Sequence, residues 1–145
     1  MEAVRSAAAQ VLGLEEAGDV SKSVPKMIIV APACNYCTLE GSTVLAGEVD
    51  LVARAMSMQR AHRAYPITGA ICTAAAVSIE GTLLWEVAGG ATASEVRIGH
   101  PAGVMPVSVA VEREGTLRIA HVTVLRTARR LMAGHAFVPR RVWDP

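Results

Sequence analysis

The stretch AYPITGAICTAAA, residues 64–76, constrains this chain more than any other. Residues 69–79, GAICTAAAVSI, carry no charge, whereas a helix lying on a protein surface keeps a polar face. An apolar helix of small side chains is enclosed by its surroundings, and the small side chains let the walls come close. The economical solution is an α+β domain in which an antiparallel β-barrel-like sheet wraps around one central helix. Thr68 is placed to be the N-cap of that helix, its hydroxyl accepting from an amide of the first turn. Gly69 and Ala70 leave the same turn clear of bulky side chains. A helix start offers unpaired amides and roughly half a positive charge. PITGA is therefore either a carboxylate seat or simply a capped core helix.

The rest of the chain supplies strands for such a sheet. A length of 145 residues suits one domain with a modest core. EAVRSAAAQVLGLEEAG has helical composition, with Val4, Ala8, Val11 and Leu12 on one side and Gly18 as a stop. DVSKSVP is a polar connector, so residues 1–24 form a helix and connector, and residues 25–145 form a single domain. KMIIVAP is a short buried strand, and NYCTLEGST is a turn or loop. EVDLVARAM alternates, with Val49, Leu51, Ala53 and Ala55 facing one way and Asp50, Val52, Arg54 and Met56 the other. After the apolar helix come TLLWEVA, EVRIGH, a turn at HPAG, VMPVSVAVE, a turn at REGT, and LRIAHVTVLRT. Short strands separated by glycine-containing turns, with one or two helices between them, give an antiparallel α+β domain.

Composition narrows the function classes. Hydrophobic residues make up 52% but aromatics only 3%, so Ala, Val, Ile, Leu and Met must build the core. Fourteen basic residues against thirteen acidic ones leave no electrostatic footprint for nucleic acid or an anionic membrane. No segment is long and apolar enough to span a bilayer, and MEAVRSAAAQ lacks the basic start and apolar block of a signal peptide. A cytoplasmic protein is expected. Three cysteines, an odd number, fit a reducing compartment better than a disulfide framework. CNYC, residues 34–37, has no second Cys/His pair at zinc spacing and no following helix for thioredoxin-like chemistry.

HRAYPITGAICTAAA, EVRIGHPAGVMPV and RTARRLMAG, preceded by VPKMIIVAP and DLVARAMSM in the same order, together resemble the PrpF family. This is the group of 2-methylaconitate isomerase, methylitaconate isomerase and 4-oxalomesaconate tautomerase. The resemblance runs from about Val4 to Pro139. It implies a diaminopimelate-epimerase-like fold, in which two similar domains each wrap a sheet around a central helix. The helix N-termini point into the cleft between them and hold substrate carboxylates. The likeness is to the C-terminal half of a family member. The half that carries the proposed acid/base cysteine and lysine is not matched. Tyr65, Pro66 and Ile67 stand where epimerases place a second catalytic cysteine, and Cys72 is expected as a small buried filler. No catalytic residue is assigned.

On the binding side, the resemblance implies that the amides of Thr68, Gly69 and Ala70 hold a substrate carboxylate. Ser57, Met58 and Gln59 match a cleft-lining position, although Gln59 stands where relatives often have Gly; a strand end that simply turns is the alternative. His62, in the loop before the helix, either contacts a carboxylate, as imidazolium or as a neutral donor, or is a solvent-exposed loop histidine with Arg63 beside it. His100 in GHPAG approaches the same cleft; Gly99 and Gly103 give backbone freedom whose first use is the turn. Arg126, Arg129 and Arg130 are interface or anion contacts, or a solvated basic strand end. The implied reaction is allylic isomerisation of an unsaturated di- or tricarboxylic acid, without metal or organic cofactor. The chain would act when paired with the missing N-terminal half. The alternatives are a homodimer that binds carboxylates without catalysis and an inactive remnant.

Overall fold

The computed structural model describes residues 1–14, 24–57, 60–90, 94–112, 115 and 117–143. Gly18, connector residues 19–23, Met58 and Gln59 lie outside the described residues. Five strands form one continuous sheet: β1 (Ile28–Pro32), β4 (Leu51–Ser57), β6 (Glu95–His100), β7 (Gly103–Glu112) and β8 (Arg118–Val124), in the order β1-β4-β6-β7-β8. A short strand β5 (Arg60–Ala61) folds back on the end of β4, and β2 (Tyr36–Cys37) pairs with β3 (Thr43–Val44) as a separate small hairpin. Every pairing is antiparallel except β4 with β6, which run parallel.

The alternation of EVDLVARAM is realised from Leu51 onward, but Val49 shares its cluster with Val52, which was expected on the other face. Val49, Leu51, Ala53 and Ala55 are all buried, Leu51 and Ala53 completely. Leu51, Ala53 and Ala55 join Val96, Ile98, Val107 and Val109 from β6 and β7 on the inner face of the sheet, whereas Val49 packs with Val44 and Val52 in a second cluster. Each large aliphatic among them contributes about 1.5–3 kcal/mol of burial. β1 differs from its expectation. Among the described residues it pairs only with β4, so it is an edge strand there rather than a buried one, and Ile29 is 49% exposed.

Across the inner face lies α2 (Ile67–Val77), against β6, β7 and β8. Gly69, Ala70, Thr73, Ala74 and Val77 form its buried stripe. The helix is not enclosed on all sides, however: Ile67, Thr68, Ile71 and Cys72 are exposed. Cys72 is thus a surface thiol and not the buried filler expected. At its C-terminal end, Ser78 donates from its hydroxyl to Ala74 O at 3.1 Å. Thr82 then donates to Ala76 O (2.7 Å) and accepts from the Trp85 amide (3.1 Å), which starts α3 (Leu83–Val87). TLLWEVA is therefore a capped helix turn.

α1 (Glu2–Val11) is amphipathic as expected, yet no residue of it is buried; Val4 and Val11 are 55% and 88% exposed. Residues 125–139, which follow β8, carry no regular structure and are exposed, before a last helical turn α4 (Arg140–Trp143). NYCTLEGST, expected as a loop, is the β2–β3 hairpin, closed by Thr38 and Ser42, whose hydroxyls lie 3.1 Å apart.

Candidate functional site

The entrance to α2 sits earlier than the sequence suggested. Pro66, with φ −65° and ψ 136°, is the N-cap, and Thr68 is the second helical residue with no capping bond. Proline suits this place because its φ is preset and it has no amide to leave unpaired. The first helical hydrogen bond runs from the Ala70 amide to Pro66 O at 2.9 Å. Ala70, completely buried and with its amide committed, cannot be part of a carboxylate seat. The amides of Ile67, Thr68 and Gly69 pair with no acceptor among the described residues. They are the unpaired amides that a helix start presents. The unpaired donors of this helix start are therefore those of residues 67–69, one residue earlier than expected.

Beside this entrance stands His100, at the end of β6. Its ring stacks on Tyr65, the residue before the N-cap, with centroids 6.3 Å apart and planes inclined by 25°. Tyr65 is buried and its phenol shares a 2.8 Å hydrogen bond with Thr73 on α2. His100 is 7% exposed, and its Nδ1 accepts from the Ala102 amide at 3.2 Å. A neutral imidazole whose Nδ1 is an acceptor carries its proton on Nε2. Nε2 has no hydrogen-bond partner among the described residues. Because no fully buried side-chain nitrogen or oxygen there lacks a partner, Nε2 lies where solvent reaches it. Burial pushes the imidazole pKa below its ordinary 6.5, and the charges of Arg54 and Arg126 add to that effect.

His62 repeats the device. Its amide donates to Ala55 O (2.8 Å), tying it to β4, and its Nδ1 accepts from the Ala64 amide at 3.1 Å. With Nδ1 accepting, Nε2 is the donor nitrogen of His62. Both histidines thus offer an N–H, and neither keeps a free basic nitrogen. Donor nitrogens of this kind suit the binding of a carboxylate better than the collection of a proton from carbon.

The other expected residues are placed as follows. Ser57 closes β4 and pairs with Arg60 across the β4–β5 turn. Arg63 is exposed. Arg126 lies near enough for its charge to be felt by His100, while Arg129 and Arg130 are exposed in the irregular segment. Gly103 adopts φ +135° in its turn, as its conformational freedom suggested. Gly99 serves a different purpose: a Cβ there would lie 3.0 Å from Tyr36 Cε1 and 3.1 Å from Val49 Cγ1. Cys34, Cys37 and Cys72 are free and exposed, and no His/Cys/Asp/Glu group able to hold a metal occurs among the described residues.

Sequence reasoning missed Tyr65 and Tyr36 as parts of the site. Tyr36 donates to Gly103 O at 2.6 Å, and Arg54 lies 4.9 Å over its ring. The signal was their rarity: the chain has only two tyrosines, and both pack around the GHPAG turn.

Comparison with known proteins agrees with this architecture. The family model described as PrpF protein matches residues 1–139. A 2-methyl-aconitate isomerase of Shewanella oneidensis is 38% identical over 143 residues, 96% of this chain and 36% of that protein. A 3-methylitaconate isomerase of Eubacterium barkeri is 37% identical over 87% of this chain and 33% of its own length. A (4E)-oxalomesaconate Delta-isomerase of a Novosphingobium strain is 36% identical over 95% of this chain and 35% of its own length. The crystal structure of a methylitaconate-delta-isomerase superposes with a TM-score of 0.76 at 33% identity, covering 97% of this chain and 37% of that one. The α+β, diaminopimelate-epimerase-like fold is therefore shown, and the chain spans about a third of the length of the curated relatives it matches. This chain belongs to the PrpF family.

Proposed function

We propose that the chain forms one wall of an isomerase cleft that holds a carboxylate of an unsaturated di- or tricarboxylic acid, and that it works when paired with a second lobe. The observation that carries this reading is the trio of unpaired amides at Ile67, Thr68 and Gly69, with His100 stacked on Tyr65 just before them in the chain. All are donors, held by the fold before any ligand arrives. In an allylic isomerisation a proton leaves carbon conjugated to a carboxylate, and negative charge spreads onto the carboxylate oxygens of the dienolate. Fixed donors aimed at those oxygens stabilise that charge where water is scarce. His62, on the loop into α2, supplies a further N–H. The acid/base groups would come from the second lobe, since both histidine Nδ1 atoms are already occupied. No cofactor is required by this chemistry.

The exposed apolar side chains of Val4, Val11, Leu131, Met132 and Phe137 support an association-dependent role. The same surface supports the second reading, a homodimer that binds carboxylates without turning them over. Exposed free thiols suit the reducing cytoplasm.

The test mixes the chain with the remaining portion of a PrpF relative and follows isomerisation of an aconitate-type substrate by ultraviolet absorbance. Turnover in the mixture and none by either part is the expected result. Turnover by this chain alone would contradict the assignment of donors without a proton handler. A dimer by light scattering that binds trans-aconitate, with no turnover in the mixture, would select the second reading.

A further inference from the structure

The β2–β3 hairpin consists of two paired residues on each side, Tyr36 with Val44 and Cys37 with Thr43. So short a ladder is marginal by itself. Its bonds to the rest of the protein converge on one place, the turn that carries His100. Tyr36 donates its phenol proton to Gly103 O at 2.6 Å. The Leu39 amide donates to Pro101 O at 2.8 Å. Arg54, stacked 4.9 Å over the Tyr36 ring, donates to Gly99 O at 3.2 Å. The absence of a side chain at Gly99 is what lets the Tyr36 ring come so close. The carbonyls of residues 99, 101 and 103 are each fixed from the hairpin side. Between them lie His100 and Ala102, whose amide bonds His100 Nδ1.

We infer that Tyr36 is a positioning residue for His100. Through Gly103 O it holds the 100–103 turn in the form where the Ala102 amide occupies Nδ1, so that Nε2–H is the group offered to a ligand. The role of that N–H in carboxylate binding rests on the function proposed above; the geometry of the clamp does not. Tyr36→Phe keeps the ring under Arg54 and removes the one hydroxyl.

The experiment is long-range ¹⁵N–¹H NMR of the histidine ring nitrogens, with trans-aconitate titrated afterwards. Wild-type His100 is expected as a single Nε2–H tautomer. In Tyr36→Phe its two nitrogen shifts move toward each other as tautomers mix, while His121 and His135 stay unchanged. Leu84→Ala, an α3 substitution that loosens the core packing, serves as a destabilised control and leaves His100 as in wild type. Affinity for trans-aconitate falls about three- to tenfold in Tyr36→Phe, the scale of one hydrogen bond. Unchanged His100 nitrogens in Tyr36→Phe would overturn the inference. So would the same change in Leu84→Ala, because the effect would then be general loosening. A tautomer change in a protein that does not bind trans-aconitate would uphold the clamp and reject the carboxylate reading.

Discussion

Tyr65 lies ring on ring with His100 at the mouth of α2, while its hydroxyl is tied to Thr73 one helical turn and a half inside. One aromatic residue thus joins the helix to the strand end that carries the donor histidine. Tyr65→Phe strands the buried Thr73 hydroxyl and is expected to lower stability by about 1–2 kcal/mol. Urea unfolding of Tyr65→Phe, Thr73→Val and the double variant checks this. The double variant should lose clearly less than the two single losses combined, because neither partner remains to be left unpaired.

Three glycines should respond in different ways. Gly99→Ala forces a methyl group against Tyr36 and Val49 and is expected to cost about 1–3 kcal/mol. Gly103→Ala places a side chain at φ +135° and should cost about 1–3 kcal/mol through backbone strain. At Gly69 the backbone is helical and the nearest atom to an added Cβ, Ile28 Cδ1, is 3.5 Å away. Gly69→Ala is expected to raise stability by about 0.5–1 kcal/mol. Thermal and urea melts of the three variants read the order directly.

The pH response of His100 has a definite sign. Its imidazole titrates below 6.5 in the folded protein, through burial first and then the charges of Arg54 and Arg126. The unfolded chain therefore takes up this proton at a higher pH than the native one. Stability is fully present above about pH 6.5 and is lost as pH falls from there through the lower folded value. In His100→Asn this part of the pH dependence should disappear. Unfolding free energies of both proteins between pH 8 and pH 5 provide the measurement.

Asp50 ties the start of β4 to β6. It accepts from the Arg97 amide and from Arg97 Nη2, both at 2.6 Å. Burial by itself would raise the Asp50 carboxyl pKa, but the hydrogen bonds and charge of Arg97 outweigh it and the net shift is downward. The stability that this pair provides is present above 3.8 and is lost as pH falls through the folded value. Asp50→Ala should cost about 1–2 kcal/mol at neutral pH, the part-exposed guanidinium keeping it in that range. The loss should shrink toward pH 3 in the same unfolding assay.

How much of this was legible in the sequence depends on whether the signal was local. The period-two pattern of Leu51, Ala53 and Ala55 reads directly as one buried sheet face, and the uncharged run after Pro66 reads as a core helix. The helix start was misplaced at Thr68 because its hydroxyl resembles a cap, whereas Pro66 already supplies the extended residue that opens the helix. Cys72 was expected inside because its neighbours are apolar. Its exposure follows from which side of α2 the sheet covers, and that is a tertiary fact. The β2–β3 hairpin was hidden for a similar reason. NYCTLEGST has too few residues in each strand to show a period, and its anchors, Gly103, Pro101 and Arg54, are remote in sequence. The unavailability of the Ala70 amide follows from that same misplaced helix start.

Whether the unpaired amides at the start of α2 hold a carboxylate can be tested at Thr68. A carboxylate at this exposed second position suits the helix itself, by about 0.3–1 kcal/mol, so Thr68→Asp should fold at least as well as wild type. It should nevertheless repel an anionic ligand from the same amides, whereas the uncharged Thr68→Asn should not. Titration of trans-aconitate, followed by the backbone amide resonances of Ile67, Thr68 and Gly69, is the measurement. Ligand-dependent shifts are expected at these three amides in wild type and in Thr68→Asn, with affinity reduced about tenfold or more in Thr68→Asp. Equal affinity in all three proteins, or shifts confined to other parts of the chain, would contradict that expectation.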